Sequence, residues 1–250
     1  MRSFVSLRIV CAALAGLLLI APAAAQDKRV ALVIGNSDYR HVFELPNPVN
    51  DAKNMAAALT RMGYKVTALE NATGAQMRSG LAAFASEAKT ADTALVFYAG
   101  HAIETEGDYL TIPVDGKVGT YDEAFRDGTT RDQLLEHLAG AKLSVLLLDT
   151  ARNNPFAASM PGVTDLHRQS PPAEGAVFVA YATQAGATVP DGEGRNSHFT
   201  KALLNYIETR GLDLREIATR VRAEVQTATG GEQTPLSHAL RVNSGHVLSR

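Results

Sequence analysis

Three short segments concentrate the side chains that could do chemistry. They are Phe97-Tyr98-Ala99-Gly100-His101-Ala102, Leu148-Asp149-Thr150-Ala151-Arg152-Asn153-Asn154-Pro155-Phe156 and Ile34-Gly35-Asn36-Ser37-Asp38-Tyr39. The first two put an imidazole, His101, and a carboxylate, Asp149, directly after apolar runs. The other histidines, His41, His137, His167, His198, His238 and His246, are scattered, and no pair has the spacing of metal ligands, so no zinc site is expected. Asp122, Glu123 and Asp127 fall in a polar stretch and read as solvated loop carboxylates. Gly35-Asn36 is not followed by a phosphate-cradling glycine pattern, which argues against a nucleotide-binding domain. No cofactor is expected.

The elements that must position these groups can be read from periodicity. Residues 29–35, 93–98, 143–148 and 176–181 are mostly apolar, and with 64–69 they read as five strands. Between them lie helical patterns. One opens at Asp51 and runs to about Met62, with Gly63 as its stop; others cover residues 73–88, 197–208 and 212–227. Short apolar strands alternating with helices predict an α/β fold, a mostly parallel six-stranded sheet with helices on both faces. In such sheets sites form beyond the carboxyl ends of the strands, where the three segments fall. Residues 153–175 carry prolines and no period, and 115–130 read as a polar loop. A loop as long as the first is usually functional. Residues 236–242 can supply an edge strand.

Composition narrows the setting. Arg2 and Arg8 precede an apolar stretch over residues 9–20, and Ala23-Ala24-Ala25 follows it in the pattern of a signal-peptidase site. The expectation is a signal peptide over 1–25, a single domain over 26–250, and a periplasmic or secreted protein. The apolar stretch is shorter than the about 20 residues that span a bilayer, so no membrane span remains after cleavage. Cys11, the one cysteine of the 250 residues, leaves with the signal. Acidic residues outnumber basic ones, 26 to 24, with no basic run and no tryptophan, which excludes nucleic acid as an expected partner.

Several motifs together resemble a known family. They are Val33-Ile34-Gly35-Asn36-x-x-Tyr39, Leu45-x-Asn47-Pro48-Val49-Asn50-Asp51-Ala52, Tyr98-Ala99-Gly100-His101, Ile112-Pro113-Val114-Asp115 and Leu147-Leu148-Asp149-x-x-Arg152-Asn153-Asn154-Pro155-Phe156. In this order they are similar to the bacterial caspase-like peptidases of family C14, on the paracaspase and metacaspase branch. The separation of 50 residues between His101 and Ala151 also suits the caspase-type arrangement, in which histidine precedes cysteine by about 50. The resemblance implies a caspase-like three-layer sandwich, with His101 as catalytic histidine, protonating the leaving group, and position 151 as nucleophile. That position holds alanine. Thr150 is adjacent, but successive side chains of an extended segment face opposite ways, so rescue by its hydroxyl is not expected. The family usually has glycine after the histidine, with its N–H in the oxyanion hole; here it is Ala102. Loss of both features favours a natural pseudoenzyme. The alternative is an active Arg/Lys-specific cysteine endopeptidase whose cysteine was exchanged for study.

The resemblance also implies an S1 pocket for Arg or Lys, in which acidic side chains meet the cation. Asp149 and Asp51 match its acids, and Asp51 can equally be the N-cap of a helix beginning at Ala52. Tyr181 and Ser197 fall in looser matches to pocket-lining segments; Ser197 can also be an N-cap, and His198 reads as a surface residue. Expected partners are a basic peptide or protein, with a homodimer or pairing with an active relative as further possibilities. Arg152 and Arg168 flank the long loop, which relatives cut on maturation; self-cleavage is not expected without a nucleophile.

Overall fold

The computed structural model describes residues 27–104, 109–150, 175–184, 187 and 194–249. The expected signal segment, Ala151, Arg152 and Arg168 lie outside them. The chain begins with β1 (Arg29–Gly35), α1 (Pro48–Arg61), β2 (Lys65–Glu70), α2 (Gly74–Ala88) and β3 (Thr93–Ala99). Three short strands and two helices follow: β4 (Ala102–Glu104), β5 (Tyr109–Thr111), α3 (Tyr121–Asp127), β6 (Thr129–Thr130) and α4 (Arg131–Leu138). Then come β7 (Leu143–Asp149), β8 (Ala176–Tyr181), α5 (His198–Tyr206), α6 (Leu214–Ala228) and β9 (Leu236–Leu240).

Six strands form one sheet in the order β2-β1-β3-β7-β8-β9. The first five run parallel, and β9 pairs antiparallel with β8 at the edge. The four central strands, β1, β3, β7 and β8, are mostly apolar and buried because each face carries a layer, whereas the edge strands β2 and β9 are partly exposed. Odd positions such as Val145 and Leu147 pack in one cluster with α1, α5 and α6. Even positions such as Leu146 and Leu148 pack in a second cluster with α2 and α4. This is the expected three-layer α/β architecture, with edge strand β9 inside the expected 236–242.

Local chemistry sets the helix starts. Thr73 and Gln76 form a capping box on α2, and Thr130 and Gln133 repeat it on α4. Two expectations need correcting. The helix expected to open at Asp51 begins at Pro48, with Asn47 as N-cap. Proline suits the first helical position because its missing N–H is not needed there. Asp51 therefore lies inside the first turn and is not an N-cap. The polar stretch 115–130 is not all loop, since it contains α3, capped by Thr120, and strand β6. Strand β6 completes a small antiparallel sheet in the order β4-β5-β6. Among the described residues, no helix is long and apolar enough to cross a membrane.

Candidate active site

The carboxyl ends of β1, β3 and β7 lie side by side, with Gly35 paired to Ala99 and Ala99 to Asp149. Beyond them the chain turns sharply at Gly100. Its φ is +152°, and a Cβ there would stand 2.5 Å from the Tyr39 hydroxyl and 2.8 Å from that of Tyr98. Only glycine fits so close an approach. The Gly100 N–H donates to the Asp149 carbonyl at 3.3 Å, tying the His101 turn to the end of β7.

A tyrosine pair then fixes the main chain of His101. The His101 N–H donates to the Tyr39 hydroxyl at 2.7 Å, and the Tyr98 hydroxyl lies 2.9 Å from the His101 carbonyl. Both hydroxyls also reach the Ile112 carbonyl, Tyr39 at 3.2 Å and Tyr98 at 2.8 Å. The Asn36 side chain joins at the same carbonyl at 3.2 Å. Burial pushes the Tyr98 phenol well above its ordinary pKa, reinforced by Tyr39, so it stays a neutral donor. Three of the sequence motifs thus meet in one network.

The ring of His101 is held separately. Its Nε2–H donates to the Phe43 carbonyl at 2.8 Å, because a carbonyl can only accept. With Nε2 protonated, a neutral ring keeps its lone pair on Nδ1 and can act as a base there. Tyr39 and Phe43 each pack edge to face on the imidazole, both at 4.5 Å between centroids.

On the other face of the sheet, two acids converge on one serine. Asp149, 9% exposed, accepts from the Ser197 and Thr200 hydroxyls, each at 2.5 Å. Asp51 accepts from the Ser197 N–H at 3.1 Å and from the Asn196 side chain at 2.7 Å. Ser197 is also the N-cap of α5, its oxygen accepting from the Thr200 N–H at 2.9 Å. Both readings of Ser197 therefore hold at once.

The structure brings Asp149, Asp51 and Ser197 together and places His101 beside them across β3 and β7. It does not bring Tyr181 there. Tyr181 is 1% exposed and sits in the cluster of the opposite face with Leu146 and Leu148, against Tyr109 and near Arg131. Strand alternation is the reason: Tyr181 pairs with Leu148, one residue out of phase with Asp149. The Thr150 hydroxyl points to that face too, bonded to the Tyr109 hydroxyl. The nucleophile position, Ala151, is outside the described residues.

Ala102 also reads differently in three dimensions. It is a buried residue of β4, and among the described non-glycine residues only Asn71 and Arg241 have positive φ. The turn's unusual backbone belongs to Gly100, so alanine at 102 imposes no strain and is no independent sign of drift. Sequence reasoning missed the working partners Tyr98, Tyr39, Phe43 and Thr200. The two tyrosines stood inside the quoted motifs and were legible; Phe43, engaged through its carbonyl, left no side-chain signal. Among the described residues, no group of three metal-binding side chains occurs.

Comparisons with known proteins bear on the family and the fold. The caspase domain family model matches residues 28–243. The human mucosa-associated lymphoid tissue lymphoma translocation protein 1 is 35% identical over 91 residues, 36% of this chain and 11% of that protein. Mouse caspase-12 is 32% identical over 77 residues, 30% of this chain and 18% of that protein. The chain thus matches a small part of each relative's length. A crystal structure of a Geobacter sulfurreducens protein superposes with a TM-score of 0.62 at 17% identity, over 85% of this chain and 93% of that one, a likeness of fold. The motifs, the six-stranded sheet and the family match together lead to one conclusion: this chain belongs to the caspase domain family, peptidase family C14.

Proposed function

We propose that this chain binds an Arg or Lys side chain of a peptide or partner protein at Asp149 and Asp51, and that it does not cleave because alanine occupies the nucleophile position. The observation that carries the reading is the convergence of the two buried carboxylates on Ser197, at the carboxyl end of the sheet and beside His101. A guanidinium or ammonium entering such a site exchanges water for charge-assisted hydrogen bonds. His101 stands at the position whose histidine, by resemblance to the family, protonates the leaving amine, yet without a thiolate no acyl transfer begins. Ala102 is the candidate donor for an oxyanion. We place the protein in an exported compartment on the strength of its N-terminal 25 residues.

Titration of the purified chain with labelled peptides ending in Arg, Lys or Ala tests this. Saturable binding of the basic peptides, weakened tenfold or more by Asp149→Asn, is expected, since hydrogen bonds to charged groups are worth about 1.5–3 kcal/mol. Equal affinity for the Ala peptide would sink the pocket. Ala151→Cys separates the two histories of the site. Immediate cleavage after Arg or Lys points to a machinery complete but for its thiol. Basic-peptide binding without cleavage points to a site adapted to binding alone.

A further inference from the structure

We infer that Phe43 forms an apolar subsite for the residue that follows the basic one, so that the preferred ligand is Arg or Lys followed by a large apolar side chain. The inference rests on the basic-pocket reading above and adds a second recognition element to it. Phe43 does two separable things. Its main-chain carbonyl takes the His101 Nε2–H at 2.8 Å, and its ring packs edge-on against the same imidazole. The ring is nevertheless 74% exposed. A single exposed aromatic needs no explanation by itself. What distinguishes this one is its fixed place beside the histidine.

The segment that carries it is tied at both sides. The Arg40 N–H donates to the Val114 carbonyl at 2.8 Å, and the Leu45 N–H to the Ser37 carbonyl at 3.1 Å. Val42 and Leu45 pack inward on the small apolar cluster of Tyr39, Ile103, Leu110 and Ile112. The Phe43 ring is therefore held in place before any ligand arrives, and a preorganised contact loses less to ordering on binding. The order of groups gives the side. Asp149 and Asp51 lie on the face covered by α1 and α5. His101 follows, joined to Asp149 through Gly100, and the Phe43 ring packs against its imidazole. A peptide whose basic side chain reaches the acids passes the end of β7 and meets His101 next. The histidine of such a site serves the leaving-amine side, so the exposed ring packed on it meets the residue after the basic one.

The test is fluorescence anisotropy on the purified chain with labelled peptides containing Arg-Phe, Arg-Leu, Arg-Gly or Arg-Asp, and a reversed Phe-Arg-Gly control. The expected result is an about tenfold preference for Arg-Phe over Arg-Gly, the order of discrimination a small apolar difference provides. Phe43→Ala should abolish that preference, read as the ratio of Arg-Phe to Arg-Gly affinities so that any change common to both peptides cancels. Phe43→Leu should restore most of it. The His101 ring 15N shifts, which report the Nε2–H tautomer and are little moved by the loss of a neighbouring ring current, should stay in place in both variants, which separates a lost subsite from a displaced histidine. Equal affinity for all Arg-X peptides overturns the subsite but not the basic pocket. A preference that survives Phe43→Ala, or a Phe43→Ala effect confined to the Phe-Arg-Gly control, also overturns it. No binding by any Arg peptide overturns both.

Discussion

The His101 side and the acid side of this site are built by different means. His101 is held by main-chain groups and rings: its N–H, its carbonyl and its Nε2 are engaged by Tyr39, Tyr98 and the Phe43 carbonyl. The same hydroxyls secure Ile112, so the network that places the histidine also joins β1, β3 and the small sheet. Asp149 and Asp51 are held by side chains and one N–H from the start of α5, up to 146 residues away in the chain. The histidine's scaffold is thus part of the fold and is kept for stability whether or not chemistry occurs. The acids' hydrogen bonds need acceptors, but they do not need charge. An acid kept at positions 149 and 51, where an amide would accept the same bonds, is therefore the better sign of a ligand, and retained position at His101 the weaker one.

The largest expected break in this comparison is Gly100→Ala. The new methyl would meet two phenolic oxygens at a backbone angle alanine rarely adopts. Strain of this kind costs about 1–3 kcal/mol before the clash is added, so a drop in Tm of many degrees is expected. An unchanged Tm would show that the turn relaxes freely. Next is Asp149→Ala, which leaves the Ser197 and Thr200 hydroxyls without their acceptor; about 1–3 kcal/mol should be lost in denaturant unfolding. Asp149→Asn sharpens the contrast, because an amide oxygen still accepts: stability should stay near that of the parent while basic-peptide affinity falls. Similar stability losses in both variants would mean that charge, not acceptance, holds α5.

A smaller effect, about 1 kcal/mol, is expected for Tyr98→Phe. Ile112 keeps Tyr39 and Asn36 as donors to its carbonyl, so the network is redundant. A loss several times greater would show the two hydroxyls to act as a unit. The smallest lies far from the site. Arg61 depresses the Glu208 carboxyl pKa through a hydrogen bond on the exposed surface. Because the folded value is the lower one, this pair adds stability above the unfolded carboxylate range and loses it as pH falls through the folded value. Glu208→Gln should flatten that acid limb slightly, and 1 M salt should mimic it.

Much of this architecture was legible before any coordinates. Five parallel strands, their helices and the edge strand follow from continuous apolar runs, helical period and stop signals, because each element buries a face long enough to leave a pattern. The start of α1 was misread since Asp51 looks like a cap, although Pro48 carried the better signal. Strands β4 to β6 and helices α3 and α4 were missed because elements of two to eight residues make too few turns or alternations to show a period. Tyr181 was misplaced because a motif match does not say which face of a strand a side chain takes; that follows from register alone.

The sequence by itself determined the family, the α/β class, the candidate histidine and acids, and the absence of a thiol at position 151. Those depend on residue identity, order and local period. Only the tertiary structure decided that Asp51 and Asp149 meet at Ser197, that Tyr181 turns away, that Gly100 and not residue 102 needs a special backbone, and that the Phe43 carbonyl holds the histidine. Each of these is set by strand register or by main-chain atoms that every residue shares. Such atoms leave no trace in side-chain identity.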